Sequence, residues 1–183
     1  VPAERVALCP LVVSRGDDQT PITTELGLSR GKGNVAVMRN LGALLASVAA
    51  VTPDGVAGFF PSLAYLRCAV ATWDKLGILS TVMAHKLLFC ETEDAAETAV
   101  ALDTYRRACD CGRGAIFLAA ARGLAADMGS FEGHYGRAVV VFGVPFQPVR
   151  SRALRRRLAF LRDKLGVQEA DFLTFDAMRQ VAQ

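Results

Sequence analysis

The sequence predicts an α/β domain with a mostly parallel sheet covered by helices on both faces. Two patterns lead there. Short continuous apolar runs alternate along the chain with longer segments of helical spacing. The runs read as strands buried on both sides, as parallel sheets require. Composition agrees. Hydrophobic residues make up 52% of the 183 residues and aromatics only 8%. A core of small aliphatics suits helices packed closely on a sheet, rather than a sandwich built on large rings.

The elements follow in order. Val6 to Val13 is the first apolar run, and Ser14 to Asn34, rich in Gly, Thr and charge, reads as a long loop or a small excursion from the sheet. Val35, Met38, Leu41, Leu45 and Val48 share one face of a helix that Pro53-Asp54-Gly55 ends with a turn. Gly55 to Phe60 is the next strand; Ser62 is placed to cap a helix through Trp73, and Gly77 to terminate it. Lys86 to Cys90 follows as a strand. Thr92-Glu93-Asp94 opens the next helix with acids at its positive end, and Arg106 and Arg107 sit at its negative end before Gly112. Ala115 to Ala120 and Ala138 to Val144 complete five strands. Strand, helix, strand in this order means right-handed βαβ crossovers. Such sheets hold ligands beyond the carboxyl ends of their strands. A site is therefore expected in the loops after Phe60, Cys90, Ala120 and Val144.

Several classes of function are excluded on the same grounds. The length suits one domain, and the apolar content argues against disorder. The best apolar run, Leu41 to Val51, falls well short of the roughly 20 residues needed to span a bilayer, so no membrane is expected as a partner. The N-terminus lacks both a signal peptide and an initiator Met, and the chain is expected to be cut from something larger. The five cysteines are scattered, and Cys109-Asp110-Cys111 has no second Cys/His pair at zinc spacing; they read as reduced thiols. Gly27-Leu28-Ser29-Arg30-Gly31-Lys32-Gly33 imitates a phosphate loop, but its glycines are too close and Lys32 is followed by Gly instead of the hydroxyl that would hold Mg²⁺. His85 and His134 have no imidazole partner at i, i+4, and no G-x-S-x-G elbow exists.

The formal net charge is only +3, but its distribution is uneven. Arg150, Arg152, Arg155, Arg156, Arg157, Arg162 and Lys164 crowd one segment, around a Leu154, Leu158, Leu161, Leu165 stripe that reads as its buried face. Guanidinium groups suit phosphate, because two N–H donors can meet two oxygens. The residues leave open a nucleic-acid backbone, an acidic protein surface or a merely solvated face.

Nine stretches, collinear and well spaced, carry a resemblance. They are Arg15-Gly16-Asp17-Asp18-Gln19; Met38-Arg39-Asn40-Leu41-Gly42; Pro53-Asp54-Gly55 running into Phe59-Phe60-Pro61-Ser62; Lys86 to Thr92; Gly112 to Ile116; Ala121-Arg122-Gly123; His134 to Val139; Phe142 to Pro145; and Asp171 to Arg179. Through them the chain resembles the XPD-type superfamily 2 DNA helicases from Arg5 to Gln183. The resemblance implies a RecA-like (P-loop NTPase-type) three-layer domain, the second of two motor domains, with 1–183 forming a single domain that stops short of its C-terminal end. It implies an ATP-dependent 5′–3′ helicase of nucleotide excision repair and transcription initiation, located in the nucleus. The implied partners are single-stranded DNA and the other subunits of transcription factor IIH, including its von Willebrand-type subunit. ATP and Mg²⁺ would bind the full-length parent and not this chain alone, and the family's iron–sulfur cluster would lie outside it.

Residue by residue, Phe59 to Ser62 match motif IV, with Ser62 a phosphate ligand or a pure cap. Arg122 and Gly123 open motif V, with Arg122 a DNA contact or a loop-supporting salt bridge, and Gly123 beside the ATP cleft. Arg39 and Asn40 match a DNA-facing segment or are a helix-surface pair. Arg152, in the basic run, is a further DNA-binding candidate. Gln183 matches the first position of motif VI in the ATP cleft. Three positions depart from the pattern: Leu124 stands for a lysine, Met128 for a glycine and Ser130 for a carboxylate. That erosion keeps a second reading in play, a non-catalytic docking module of the same fold. On either reading the chain alone is expected to hydrolyse no ATP.

Overall fold

A computed structural model describes residues 9–22, 33–128, 131–147 and 151–181. Helix α1 (Gly33–Val51) leads into strand β1 (Gly55–Phe60), helices α2 (Leu63–Lys75) and α3 (Ile78–His85), strand β2 (Leu87–Cys90) and helix α4 (Ala95–Asp110). Strand β3 (Ala115–Ala120), the short helix α5 (Leu124–Met128), a 3-10 turn (Gly133–Gly136), strand β4 (Ala138–Val141) and helices α6 (Arg152–Leu165) and α7 (Glu169–Val181) follow. The pairings of the four described strands are all parallel, in the order β2-β3-β1-β4. The α/β class, the parallel sheet and helices on both faces are as the sequence predicts.

The layers follow from where side chains alternate. On one face Val56, Phe60, Ile116 and Leu118 pack with Met38 and Leu45 of α1 and with Leu66 and Trp73 of α2. On the other, Ala115, Phe117 and Ala119 pack with Leu102 and Tyr105 of α4 and Ala125 of α5. Trp73 is fully buried, and its indole N–H donates to the Met38 carbonyl at 2.6 Å, sparing the cost of an unpaired buried donor. Its ring sits 6.0 Å from Phe60 and 5.8 Å from Phe142.

Four expectations need correction. The sheet has four described strands, not five: residues 9–13 form no strand, with Leu11 83% and Val12 95% exposed, while residues 6–8 lie outside the described part. An apolar run alone does not distinguish a core strand from an apolar segment lying outside the sheet. Burial on both faces holds for β1 and β3 only; β2 and β4 are edges, leaving Leu87 40% and Val139 55% exposed. Strand β4 ends at Val141, and the Phe142 ring stacks on Phe60 at 4.4 Å. Finally, Lys86 precedes β2 as a buried residue at the end of α3, a helix absent from the sequence reading.

Gly77, at φ +72°, joins α2 to α3 where a side chain would be strained. Asp94 caps α4, its carboxylate accepting from the N–H groups of Ala96 at 2.6 Å and Glu97 at 3.2 Å. Residues 14–22 of the long loop form a turn closed by an Arg15–Pro21 bridge; residues 23–32, with most of the false phosphate loop, lie outside the described part.

Candidate functional site

Phe60 and Ala120 are partners across the two central strands. Ser62 and Arg122 each lie two residues beyond that pair, so both leave the sheet from the same carboxyl edge. The Ala121 N–H donates to the Phe60 carbonyl at 2.8 Å, extending the pairing into the loops. Ser62 is exposed on extended backbone, and its Oγ accepts from the Tyr65 N–H at 3.2 Å as the cap of α2. The hydroxyl retains its own O–H for a second partner.

The loop carrying Arg122 is fixed from two sides. Below it, the buried Glu91 spans from the end of β2 to the end of β3. Its Oε2 accepts from the Ala120 N–H at 2.7 Å and its Oε1 from the Leu124 N–H at 2.5 Å. A Cβ on Gly123 would stand 2.2 Å from Oε1, so the loop can wrap this carboxylate only with glycine there. From the other side comes α7. Arg122 Nη2 donates to Asp176 Oδ2 at 2.6 Å and Arg122 Nε to the Pro145 carbonyl at 3.1 Å. Asp176, 8% exposed, also accepts from Gln147 Nε2 at 2.9 Å and lies 3.5 Å from Arg179 Nη2. Gln180 Nε2 donates to the Ala121 carbonyl at 3.1 Å. The Arg122 side chain is 27% exposed.

The other sequence candidates are placed apart from this loop. Asn40 is buried and donates to Asp18 Oδ1 at 2.8 Å, which joins two of the resemblance stretches; Arg39, beside it, is exposed. The Thr20 and Asn40 hydrogen bonds hold the Asp18 carboxyl below its usual range. No hydrogen bond or ion pair among the described residues joins Arg39 or Asn40 to Ser62 or Arg122. Arg152 is exposed at the start of α6, where Ser151 caps the helix. Arg155 and Arg156 are exposed as well, whereas Arg157 lies over the Phe172 ring at 5.1 Å and Arg162 pairs with Asp163 and Glu169. The leucine stripe of α6 is shorter than expected: Leu154 and Leu158 are buried, but Leu165 is 65% exposed. Leu124 and Met128 are 36% and 45% exposed. Ser130, Arg150 and Gln183 lie outside the described residues.

Glu91 and Asp176 are the residues that sequence reasoning missed. Both lie in stretches that carry the resemblance, and Glu91 is also an acid directly after an apolar strand; the scaffold role of Asp176 has no local signal, because Gln147 and Arg122 are 29 and 54 residues away. A hollow of about 280 Å³ between α2 and β2 is lined by Leu66, Val70, Leu79 and Cys90. Burial pushes the Cys90 thiol up to about 11, which makes it a poor nucleophile near neutral pH. Among the described residues no helix is long and apolar enough to cross a membrane.

Residues 45–183 match the helicase C-terminal domain family, and the chain belongs to it. Within that family the similarity is to the XPD type. Over 98% of its length the chain is 50% identical to the general transcription and DNA repair factor IIH helicase subunit XPD of Arabidopsis thaliana, and 48% identical to that of Schizosaccharomyces pombe. It is also 32% identical, over 87% of its length, to the human ATP-dependent DNA helicase DDX11, covering 17% of that protein. The chain spans 23% of the length of the two XPD relatives.

Proposed function

We propose that the chain serves as the second motor domain of an XPD-type ATP-dependent 5′–3′ DNA helicase, presenting its carboxyl edge to the backbone of single-stranded DNA. The observation that carries this reading is the emergence of Ser62 and Arg122 side by side from β1 and β3, with donors still available. A phosphate is the ligand such donors fit. The start of α2 adds N–H groups and the positive end of a helix dipole, and the guanidinium adds a charge-assisted pair. Such contacts position a strand without reading its sequence. Arg152, with Arg155 and Arg156, extends the basic surface, and Arg39 is a further phosphate contact.

ATP and Mg²⁺ would be held mainly by a partner motor domain, with Gly123 and Gln183 on this chain's wall of the cleft; the nucleotide supplies the free energy of phosphoryl transfer. This chain has no phosphate loop of its own, so alone it is expected to hydrolyse no ATP. The relatives' names place them in a transcription and repair factor. By extension we assign this chain a nuclear setting and the other subunits of that factor, the von Willebrand-type one included, as partners.

The test is binding of a fluorescent oligo-dT strand by the 183-residue chain over a salt series. Affinity falling with salt is expected, and Arg122→Ala should weaken it and lower the salt slope by about one. An unchanged affinity removes Arg122 from the interface. The second reading, a docking module without motor activity, draws on exposed Leu124 and Met128, which stand where the motif has a lysine and a glycine. ATPase activity of the complete protein, with and without single-stranded DNA, separates the two.

A further inference from the structure

We propose that Asp176 is a positioning residue: it turns the guanidinium of Arg122 so that one whole edge is presented to phosphate, and it ties that edge to α7. This rests on the reading of Arg122 as a backbone contact.

The argument starts from the shape of the group. A guanidinium carries five N–H donors in one plane, and a phosphate is gripped best by two donors on the same edge. Arg122 spends its side edge within the protein, with Nε on the Pro145 carbonyl and Nη2 on Asp176. Its end edge, formed by Nη1 and the second hydrogen of Nη2, has no hydrogen bond among the described residues. A side chain 27% exposed, with its inner edge bonded and its outer edge open, is arranged for bidentate capture. Without Asp176 the arginine would have to order a long side chain at the moment of binding.

Asp176 is itself held firmly enough to act in this way. Its carboxylate meets Arg122 from the loop after β3, Gln147 from the segment after β4, and Arg179 from its own helix. It is 8% exposed, and a buried carboxylate that lost these donors would be left uncompensated. Gln180, one turn further along the same face of α7, holds the Ala121 carbonyl. Two grips on one face mean that α7 and the Arg122 loop move as a unit. A shift of that helix would carry the phosphate-binding edge with it.

A double-mutant cycle on the 183-residue chain tests the proposal, with oligo-dT anisotropy as the readout and circular dichroism melting as the fold control. Arg122→Ala should weaken binding about tenfold and Asp176→Asn about threefold, whereas Asp176→Asn added to Arg122→Ala should weaken it no further. The direction is diagnostic. Removing a negative charge near a polyanion would by electrostatics alone tighten binding, so a loss reports lost positioning. If Arg122→Ala weakens binding but Asp176→Asn leaves it equal or tighter, Asp176 is structural or competes with phosphate, and the proposal fails alone. If Arg122→Ala changes nothing, the underlying reading of Arg122 fails first, which is a different pattern. Should Asp176→Asn not fold, NMR of the Arg122 Nη2–H, the donor to Asp176, decides in the unaltered chain. The signal should persist, slowly exchanging, at saturating oligo-dT; its loss on binding would show phosphate displacing the carboxylate and would overturn the proposal.

Discussion

At the amino ends of the strands, side-chain donors are spent on backbone carbonyls. Lys86 Nζ reaches the Asp54 carbonyl at 2.8 Å, Arg113 holds those of His85 and Met83 at 2.7 and 3.3 Å, and the Tyr105 hydroxyl donates to the Tyr135 carbonyl. Burial pulls the Lys86 amine below its usual range. At the carboxyl ends the polarity is reversed. Two buried carboxylates, Glu91 and Asp176, gather N–H groups from the loops, and Ser62 and Arg122 keep donors facing outward. The amino edge thus ties its donors largely to backbone carbonyls, whereas the carboxyl edge is a frame built on buried carboxylates with unspent donors. The lesson is that rigidity alone does not mark a site; rigidity around unsatisfied but exposed donors does.

Perturbing each edge sharpens the contrast. The largest effect is expected from Gly123→Ala. The new Cβ displaces Glu91 from two N–H groups, leaving a buried charge poorly paired and costing about 3 kcal/mol in denaturant unfolding. A loss under about 1 kcal/mol would mean the frame is looser than described. At the amino edge, Tyr105→Phe should cost about 1 kcal/mol through the lost hydrogen bond while leaving oligo-dT affinity unchanged; weakened binding there would blur the two edges.

The third test uses pH. Hydrogen bonds with His134 and Tyr135 hold the Asp110 carboxyl below its ordinary 3.8. The folded value is lower than the unfolded one, so the stabilisation is complete above that range and is lost as pH falls through the folded value. Melting temperatures of the unaltered chain and Asp110→Asn should differ at about pH 6 and converge toward about pH 2. A gap that persists in acid would assign the effect to something else. The smallest effect is set by an exposed pair on α4: Arg107→Ala, losing Asp103 at 2.8 Å, should cost below about 0.5 kcal/mol in the same unfolding measurement.

The central sheet was legible because β1 and β3 are flanked by turn signals and buried at every position but Phe59, so their apolar runs coincide with the strands. Leu11 and Val12 misled because an apolar run carries no record of whether the sheet has room for it. Helix α3 was missed for the opposite reason: its apolar residues fill a short span whose helical character comes from packing against α1 rather than from its own pattern. The loops of Ser62 and Arg122 were visible because topology sends both to one edge, and the resemblance singled out the two residues within them. Glu91 and Asp176 were not, since a carboxylate becomes a scaffold only when distant N–H groups close on it, a fact of the fold and not of any window of residues.

Strand β4 pairs only with β1 among the described residues, and Val139 and Val141 are exposed along it. Among the described residues its outer flank is a row of hydrogen-bonding groups beside apolar side chains, which is a template for adding another strand. Handled alone at high concentration, the chain is therefore expected to self-associate through that margin. A lysine at Val139 would be the simplest way to keep it monodisperse.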